Sequence, residues 1–277
     1  MRHATGEQRG SDGQRLFVQS WEPDGEPRAL VALAHGLAEH SGRYNELVGR
    51  LVARGLAVYA LDHRGHGRSG GRRSFVERFE WLVADYAARA EVARAAWPGR
   101  DLLLLGHSMG GAIALATALA HPTLARALLL SAPAIGADPD VPRLRIWSAR
   151  LLAAVAPAAG VLTLPSEAIS QDTAVVRRYD EDPLVYRGAV PARTAIELLG
   201  AIERFPARVA ELRMPTLVLH GTADQLVPLR SAEPVYARFG CSDLTIHRYQ
   251  GFYHEVFNEP GRAQVFADLD AWLDRIA

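Results

Sequence analysis

The stretch Leu102-Leu103-Leu104-Leu105-Gly106-His107-Ser108-Met109-Gly110-Gly111-Ala112 decides how this chain is read. Four consecutive leucines have no polar face, as expected of a strand buried on both sides. The run ends in Gly-x-Ser-x-Gly, and small residues follow. A strand that enters this pentapeptide and leaves it as a small-residue helix holds its serine on a sharp turn, in a backbone conformation ordinary residues avoid. Gly106 and Gly110 leave room for neighbouring backbone. Gly111 and Ala112 let the helix press against the sheet, Ile113 and Leu115 continue it, and Pro122 after His121 stops it. Ser108 is thereby displayed as a nucleophile at a helix N-terminus, where backbone N–H groups favour negative charge. The pentapeptide alone is a weak pattern; the strand before it and the helix after it carry the reading.

Working outward, similar apolar runs alternate with helical periodicity. Phe17–Trp21, Leu30–Ala34, Ala57–Leu61, Ala127–Leu130, Thr216–Leu219 and Leu244–Tyr249 read as further strands. Tyr44, Leu47, Val48, Leu51 and Val52 fall at helical spacing, with Ser41 upstream as an N-cap. Phe79 to Trp97 reads as a helix stopped at Pro98-Gly99. Val265, Phe266, Leu269, Trp272, Leu273 and Ile276 make a closing amphipathic helix. Continuous apolar strands separated by helices predict an α/β fold, a mostly parallel central sheet flanked by helices on both faces. In such sheets, sites form at the carboxyl ends of strands; His35, Asp62, Ser108, Ser131 and His220 all lie at or just past such ends. Between about Ala134 and Pro206 the alternation stops. This segment is helix-prone, rich in Ala, Leu and Pro, and shows no convincing strand. It reads as a helical cap inserted after the sixth strand, which divides the chain into a core of residues 1–133 and 207–277 and a cap, or lid, of 134–206.

Bulk properties narrow the function. The 277 residues suit one large domain, or one domain with an insertion. With 49% hydrophobic and 22% charged residues, the composition is that of a globular protein. A formal net charge of zero gives no footprint for nucleic acid or an anionic membrane. All of the positive charge is arginine, which, with abundant alanine, points to a GC-rich bacterial genome. The single cysteine, Cys241, excludes an internal disulfide and reads as a small side chain beside a turn. The first residues lack the apolar segment of a secretory signal, and no stretch is clean enough to span a bilayer; Ile146 to Leu164 carries Arg150, Pro157 and Gly160. A cytoplasmic location is expected, with monomer and homodimer both open.

A serine nucleophile needs a base, and the base needs an acid to orient it. In this chain order both should follow Ser108. Asp224, in Gly-Thr-Ala-Asp just past the strand Thr216–Leu219, is the expected acid, with Asp138 and Asp140 as competitors on the way into the cap. His254, in the loop after the last strand, is the expected base; His247 lies within that strand. The oxyanion hole needs two backbone N–H donors, expected from Met109 and from Leu37, in the loop following His35-Gly36. The segment Asp62-His-Arg64-Gly-His66-Gly-Arg-Ser69-Gly70-Gly71 has neither the Walker nor the dinucleotide spacing and reads as a shaped loop beside the elbow.

His35-Gly-Leu-Ala-Glu39-His-Ser-Gly-Arg43-Tyr44, Asp62-His-Arg-Gly-His-Gly-Arg-Ser69, Gly106-His-Ser-Met-Gly-Gly111 and Tyr253-His254-Glu-Val-Phe-Asn-Glu-Pro260 together resemble the monoacylglycerol lipases of the α/β-hydrolase superfamily, in particular their mycobacterial-type members. The resemblance runs from about Trp21 to the C-terminus, and its first motif is the specific one. It implies a cofactor-free, metal-free serine esterase that cleaves monoacylglycerol, with the acyl chain in an apolar tunnel under the cap. Glu39 and Arg43 stand at positions the family associates with the glycerol end, though a pair four apart also reads as a salt bridge. One departure is Phe257, where some members carry a second histidine that contacts glycerol. The apolar cap face implies transient contact with membranes or micelles. A general carboxylesterase, lysophospholipase or thioesterase would use the same triad; a non-catalytic binder would need a broken one. Epoxide hydrolase and dehalogenase chemistry is disfavoured, because those relatives carry Asp at the position of Ser108.

Overall fold

A computed structural model describes residues 1–276. In chain order its strands are β1 (Arg2–Arg9), β2 (Arg15–Glu22), β3 (Ala29–Ala34), β4 (Leu56–Leu61), β5 (Leu102–His107), β6 (Ala127–Ser131), β7 (Gly160–Leu162), β8 (Val190–Pro191), β9 (Thr216–Gly221) and β10 (Leu244–Tyr249). Its α-helices are α1 (Asn45–Ala53), α2 (Phe79–Ala96), α3 (Met109–Ala120), α4 (Arg143–Val155), α5 (Thr173–Glu181), α6 (Ala192–Arg208), α7 (Leu229–Tyr236) and α8 (Arg262–Ile276). Eight strands form one sheet in the order β1-β2-β4-β3-β5-β6-β9-β10. β1 and β2 run antiparallel at one edge, and all pairings from β4 to β10 are parallel.

The apolar runs sort by residue parity onto the two faces. Leu30, Ala32, Leu102, Leu104, Leu128, Leu130 and Val218 face a core shared with α2, α3, α6 and α7. Val31, Leu33, Leu103, Leu105, Leu129, Leu217 and Leu219 face the other core, against α1 and α8. This alternation explains why these strands read as unbroken apolar runs: each side chain is buried, whichever way it points, and each leucine contributes about 1.5–3 kcal/mol by leaving water.

Three local expectations need correction. β1 was not expected, because its residues Arg-His-Ala-Thr-Gly-Glu-Gln-Arg are nearly all exposed and carry no apolar period; backbone pairing with β2 makes it a strand. Ser41 does not cap α1. It opens a short 3-10 turn, Ser41–Tyr44, capped by His40, and its hydroxyl donates to Asp62. The cap segment does contain strands: β7 and β8 pair antiparallel as a small two-stranded sheet. They are too short to show a period, and Gly160 and Pro191 weaken the signal further. Helix α6 runs through position 206, and its Ala201 and Phe205 pack into the main core.

Candidate active site

Parallel register sets the site. Ala34 pairs with Gly106, and His107 pairs with Ser131. The loop leaving β3 therefore lies beside the turn leaving β5. Ser108 sits at that turn with φ 54° and ψ −121°, the strained conformation expected of it. A Cβ on Gly106 would strike the carbonyl of Gly110, and one on Gly110 would strike the carbonyl of Ala34. Neither residue could carry a side chain without opening the strand-to-helix turn. The Ser108 carbonyl accepts from Gly111, Ala112 and Ala134, which anchors the turn at its rear. Among the described residues, the N–H groups of Leu37 and Met109 have no hydrogen-bond acceptor, and Met109 opens α3.

β9 and β10 pair with Gly221 opposite Tyr249, so the two loops that follow them meet. His254 Nδ1 lies 2.7 Å from Asp224 Oδ2, and both residues are buried. The other Asp224 oxygen accepts from the Leu226 and Val227 N–H groups, each at 2.9 Å. Burial would push the Asp224 carboxyl up, but the charge of His254 and the hydrogen bonds of His220 and His254 hold it well below the usual carboxylate range. Burial likewise pulls His254 down, yet the Asp224 carboxylate outweighs it and raises this imidazole above its ordinary value. The ring of His254 lies 4.7 Å from that of His107, the neighbour of Ser108. Burial, followed by the charge of His254, lowers His107 to about 4, so His107 is neutral at pH 7. The competitors lie elsewhere: Asp138 and Asp140 pair with Arg230 at the surface, and His247 pairs with Asp268.

The loop after β3 is braced by charge. Glu39 Oε1 accepts from the Gly36 N–H at 2.6 Å and the Tyr44 hydroxyl at 2.5 Å, while Oε2 meets Arg43 at 2.7 Å. Arg43 turns its other contacts onto Glu255, at 2.6 and 2.9 Å. Its guanidinium also lies over the Tyr179 ring of α5. Glu255 adjoins His254, so one arginine ties the β3 loop to the histidine loop. Sequence reasoning passed over Glu255; a second acid directly after the histidine, in a loop due for burial, was the signal available. Glu39, Arg43, Tyr44, His107, Glu255 and Phe257 line a small recess of ≈ 20 Å³. Phe257 stacks on Phe266 of α8.

His35 is a second brace. Its Nδ1 donates to the Gly36 carbonyl at 2.7 Å, and its Nε2 accepts from the His63 N–H at 2.8 Å. That pattern requires the neutral ring, and burial holds His35 well below the ordinary imidazole value. In the loop after β4, Asp62 receives Ser41 and the Arg68 N–H, and Ser69 returns to the Asp62 carbonyl. These bonds match the shaped-loop reading of that segment. Residues 134–206 touch both site loops. The Tyr186 N–H donates to the carbonyl of Ala38, His40 pairs with Asp182, and the Glu255 N–H donates to Ile169.

Comparison with known proteins agrees with this architecture. The family model Hydrolase_4, described as "Serine aminopeptidase, S33", matches residues 25–261. The monoacylglycerol lipase of Mycolicibacterium smegmatis is 40% identical over 264 residues, covering 95% of this chain and 94% of that protein. The human monoglyceride lipase is 35% identical over 268 residues, covering 96% and 88%. Among solved structures, the monoacylglycerol lipase of Paleococcus ferrophilus superposes with a TM-score of 0.84 at 29% identity, covering 95% of this chain and 99% of that one. A fold with a serine elbow, and relatives matched along nearly their whole length, place the chain: it belongs to the monoacylglycerol lipase family, carboxylic ester hydrolases with the α/β-hydrolase fold.

Proposed function

We propose that this enzyme hydrolyses monoacylglycerols to fatty acid and glycerol, with Ser108 as nucleophile, His254 as base and Asp224 as its orienting acid. The hydrogen bond between His254 Nδ1 and Asp224, beside a strained serine, is the observation that carries this reading. His254 Nε2 takes the Ser108 hydroxyl proton as Oγ attacks the ester carbonyl. The oxyanion is received by the N–H groups of Leu37 and Met109, whose lack of other acceptors supports that role. Removing one such donor typically costs about 3–4 kcal/mol. The tetrahedral intermediate collapses, and protonated His254 gives its proton to the departing glycerol oxygen. Water then attacks the acyl-enzyme by the same route, and the fatty acid leaves. Glu39 and Arg43 spend their charges on each other, on Glu255 and on the Gly36 N–H, so their part in this reading is to hold the loop beside the glycerol end rather than to bind it.

Residues 134–206 serve as the cap in this reading, and α4 is the part that would meet lipid. Leu144, Trp147, Leu151 and Val155 are 74%, 62%, 51% and 72% exposed on that one helix, an apolar face left uncovered by the described residues. None of the described helices is long and apolar enough to cross a membrane, so the contact would be peripheral, an amphipathic helix lying on the lipid surface.

The test is a substrate panel: monoacylglycerols of graded chain length against diacylglycerols, lysophospholipids, an acyl thioester, p-nitrophenyl esters and an aminoacyl amide. Monoacylglycerols should give the highest kcat/KM, and Ser108→Ala should abolish turnover while keeping the fold. Another substrate class ranking first would overturn the substrate, and turnover in Ser108→Ala would overturn the mechanism.

A further inference from the structure

His220, in β9, is wholly buried beside Asp224 yet has no part in the proton relay just described. Its Nδ1 lies 2.8 Å from the Tyr236 hydroxyl on α7. Its Nε2 lies 2.8 Å from the Val227 carbonyl and 3.3 Å from Asp224 Oδ2. A carbonyl and a carboxylate can only accept, so Nε2 carries the hydrogen; Nδ1 is then an acceptor, and the Tyr236 hydroxyl donates to it. In this tautomer both ring nitrogens are bonded, and the Nε2–H also lies within electrostatic reach of Asp224 Oδ2. The Asp224 oxygen that His220 approaches is the same one that receives His254 at 2.7 Å. Tyr236 thus aims His220, and His220 stands near the carboxylate oxygen that the two backbone donors leave free.

We propose that His220 is a positioning residue for the hydrolytic reaction: its Nε2–H, oriented by Tyr236 and bonded to the Val227 carbonyl, stands 3.3 Å from Asp224 Oδ2, where its dipole steadies the carboxylate and offsets part of the negative charge Asp224 presents to His254. The proposal rests on the reading of Asp224 and His254 as acid and base. Without this donor, more charge falls on His254, which favours the imidazolium. The acid limb of the pH profile then moves up. The carboxylate also gains freedom to rotate, which misaligns the base.

The experiment compares His220→Leu, His220→Gln and Tyr236→Phe by pH profile on a soluble p-nitrophenyl ester, with circular dichroism to confirm folding. His220→Leu should lower kcat by roughly 10–100-fold with KM changed by less than about twofold, and should move the acid limb of kcat/KM up by roughly half a pH unit. His220→Gln, whose amide can donate to the same oxygens and accept from Tyr236, should restore both. Tyr236→Phe should shift the limb the same way by a smaller amount, and it carries the test together with His220→Gln if the leucine variant does not fold. An unmoved limb in folded His220→Leu or in Tyr236→Phe would overturn the proposal, as would a glutamine variant with a limb displaced as far as leucine's. Asp224→Asn runs alongside: near-normal activity there would overturn the triad reading itself, whereas an inactive Asp224→Asn with unmoved His220 profiles would overturn the His220 proposal alone.

Discussion

Replacing Arg43 with methionine keeps the length of the side chain and removes its charge. Glu39, Arg43 and Glu255 have side-chain exposures of 4%, 11% and 7%. The variant therefore strands two carboxylates in the interior with no cation. Breaking a buried ionic group from one side costs about 3–5 kcal/mol, against a total of about 5–15 kcal/mol for a typical domain. At about 2–4 °C per kcal/mol, the midpoint of thermal unfolding should fall by roughly 6–20 °C. The pH dependence separates charge from packing. In the wild type, burial would raise the Glu39 carboxyl, but Arg43 and its other partners keep it lowered. Its contribution is present above the unfolded-state carboxylate value and lost as pH falls through the folded value. Without Arg43 the main opposing charge is gone and burial pushes Glu39 up. The folded variant then binds protons more readily than the unfolded chain, so its deficit should shrink on acidification.

Urea unfolding followed by tryptophan fluorescence at pH 8 and pH 5 measures this directly. The gap between wild type and Arg43→Met should narrow by at least about 1 kcal/mol between those two values. The triple variant Glu39→Gln, Arg43→Met, Glu255→Gln, which leaves no charge behind, should recover much of the loss at pH 8. A deficit below about 1 kcal/mol, or one that is the same at both pH values and in the triple variant, would refute the reasoning and return Arg43 to the role of a packing residue.

Two further outcomes follow from the same coordinates. Because the Asp224 carboxylate raises His254 against the effect of burial, and only the unprotonated ring can act as base, kcat/KM on a soluble ester should fall on acidification with a midpoint above about 6.5; a midpoint below 6 would contradict the pairing. Replacing both Leu144 and Trp147 on α4 with serine should weaken partition onto phosphatidylcholine vesicles by about 100-fold or more, since each large apolar side chain contributes about 1.5–3 kcal/mol on leaving water. Turnover of a soluble ester should be unchanged, and equal vesicle binding by the variant would show that α4 is not the contact.

What could be read from the sequence, and what could not, follows the range of the forces involved. The elbow was legible because its residues lie together in sequence: a Cβ on Gly106 would meet the Gly110 carbonyl four residues on, and one on Gly110 would meet Ala34 of the adjoining strand, so both demands surface as glycines within one pentapeptide. The central parallel strands were legible because burial on both faces makes them apolar runs that turn polar only at their ends, as at His107, Ser131 and His220. β1 was not, because ladder hydrogen bonds are indifferent to side chains and its own are exposed. The ionic brace was invisible for a different reason. Arg43 and Glu255 stand 212 residues apart, and nothing in either neighbourhood names the other. His220 and Tyr236, though only 16 apart, meet because α7 packs beneath the end of β9, a tertiary fact that no periodicity records.

The brace also bears on which backbone donor faces the substrate. The loop after β3 offers two consecutive N–H groups, on Gly36 and Leu37. Glu39 takes the first at 2.6 Å, so in the proposed reaction Gly36 could not serve the oxyanion without breaking a charge-assisted bond in a buried site, which would leave that role to the Leu37 N–H. A hydrophobic residue in place of Glu39 would pack as well, and replacing buried ion pairs with apolar groups is often neutral or better for stability. It could not, however, satisfy the Gly36 N–H or the Tyr44 hydroxyl, and each such buried donor left unmet costs about 1–3 kcal/mol. A carboxylate does three things at that point that a leucine cannot: it holds the loop by its backbone, orients Tyr44, and requires Arg43, which in turn reaches Glu255 beside His254. The charge is retained for the geometry it imposes on two loops, because donors that must already be aimed when charge develops are useful only where they cannot turn away.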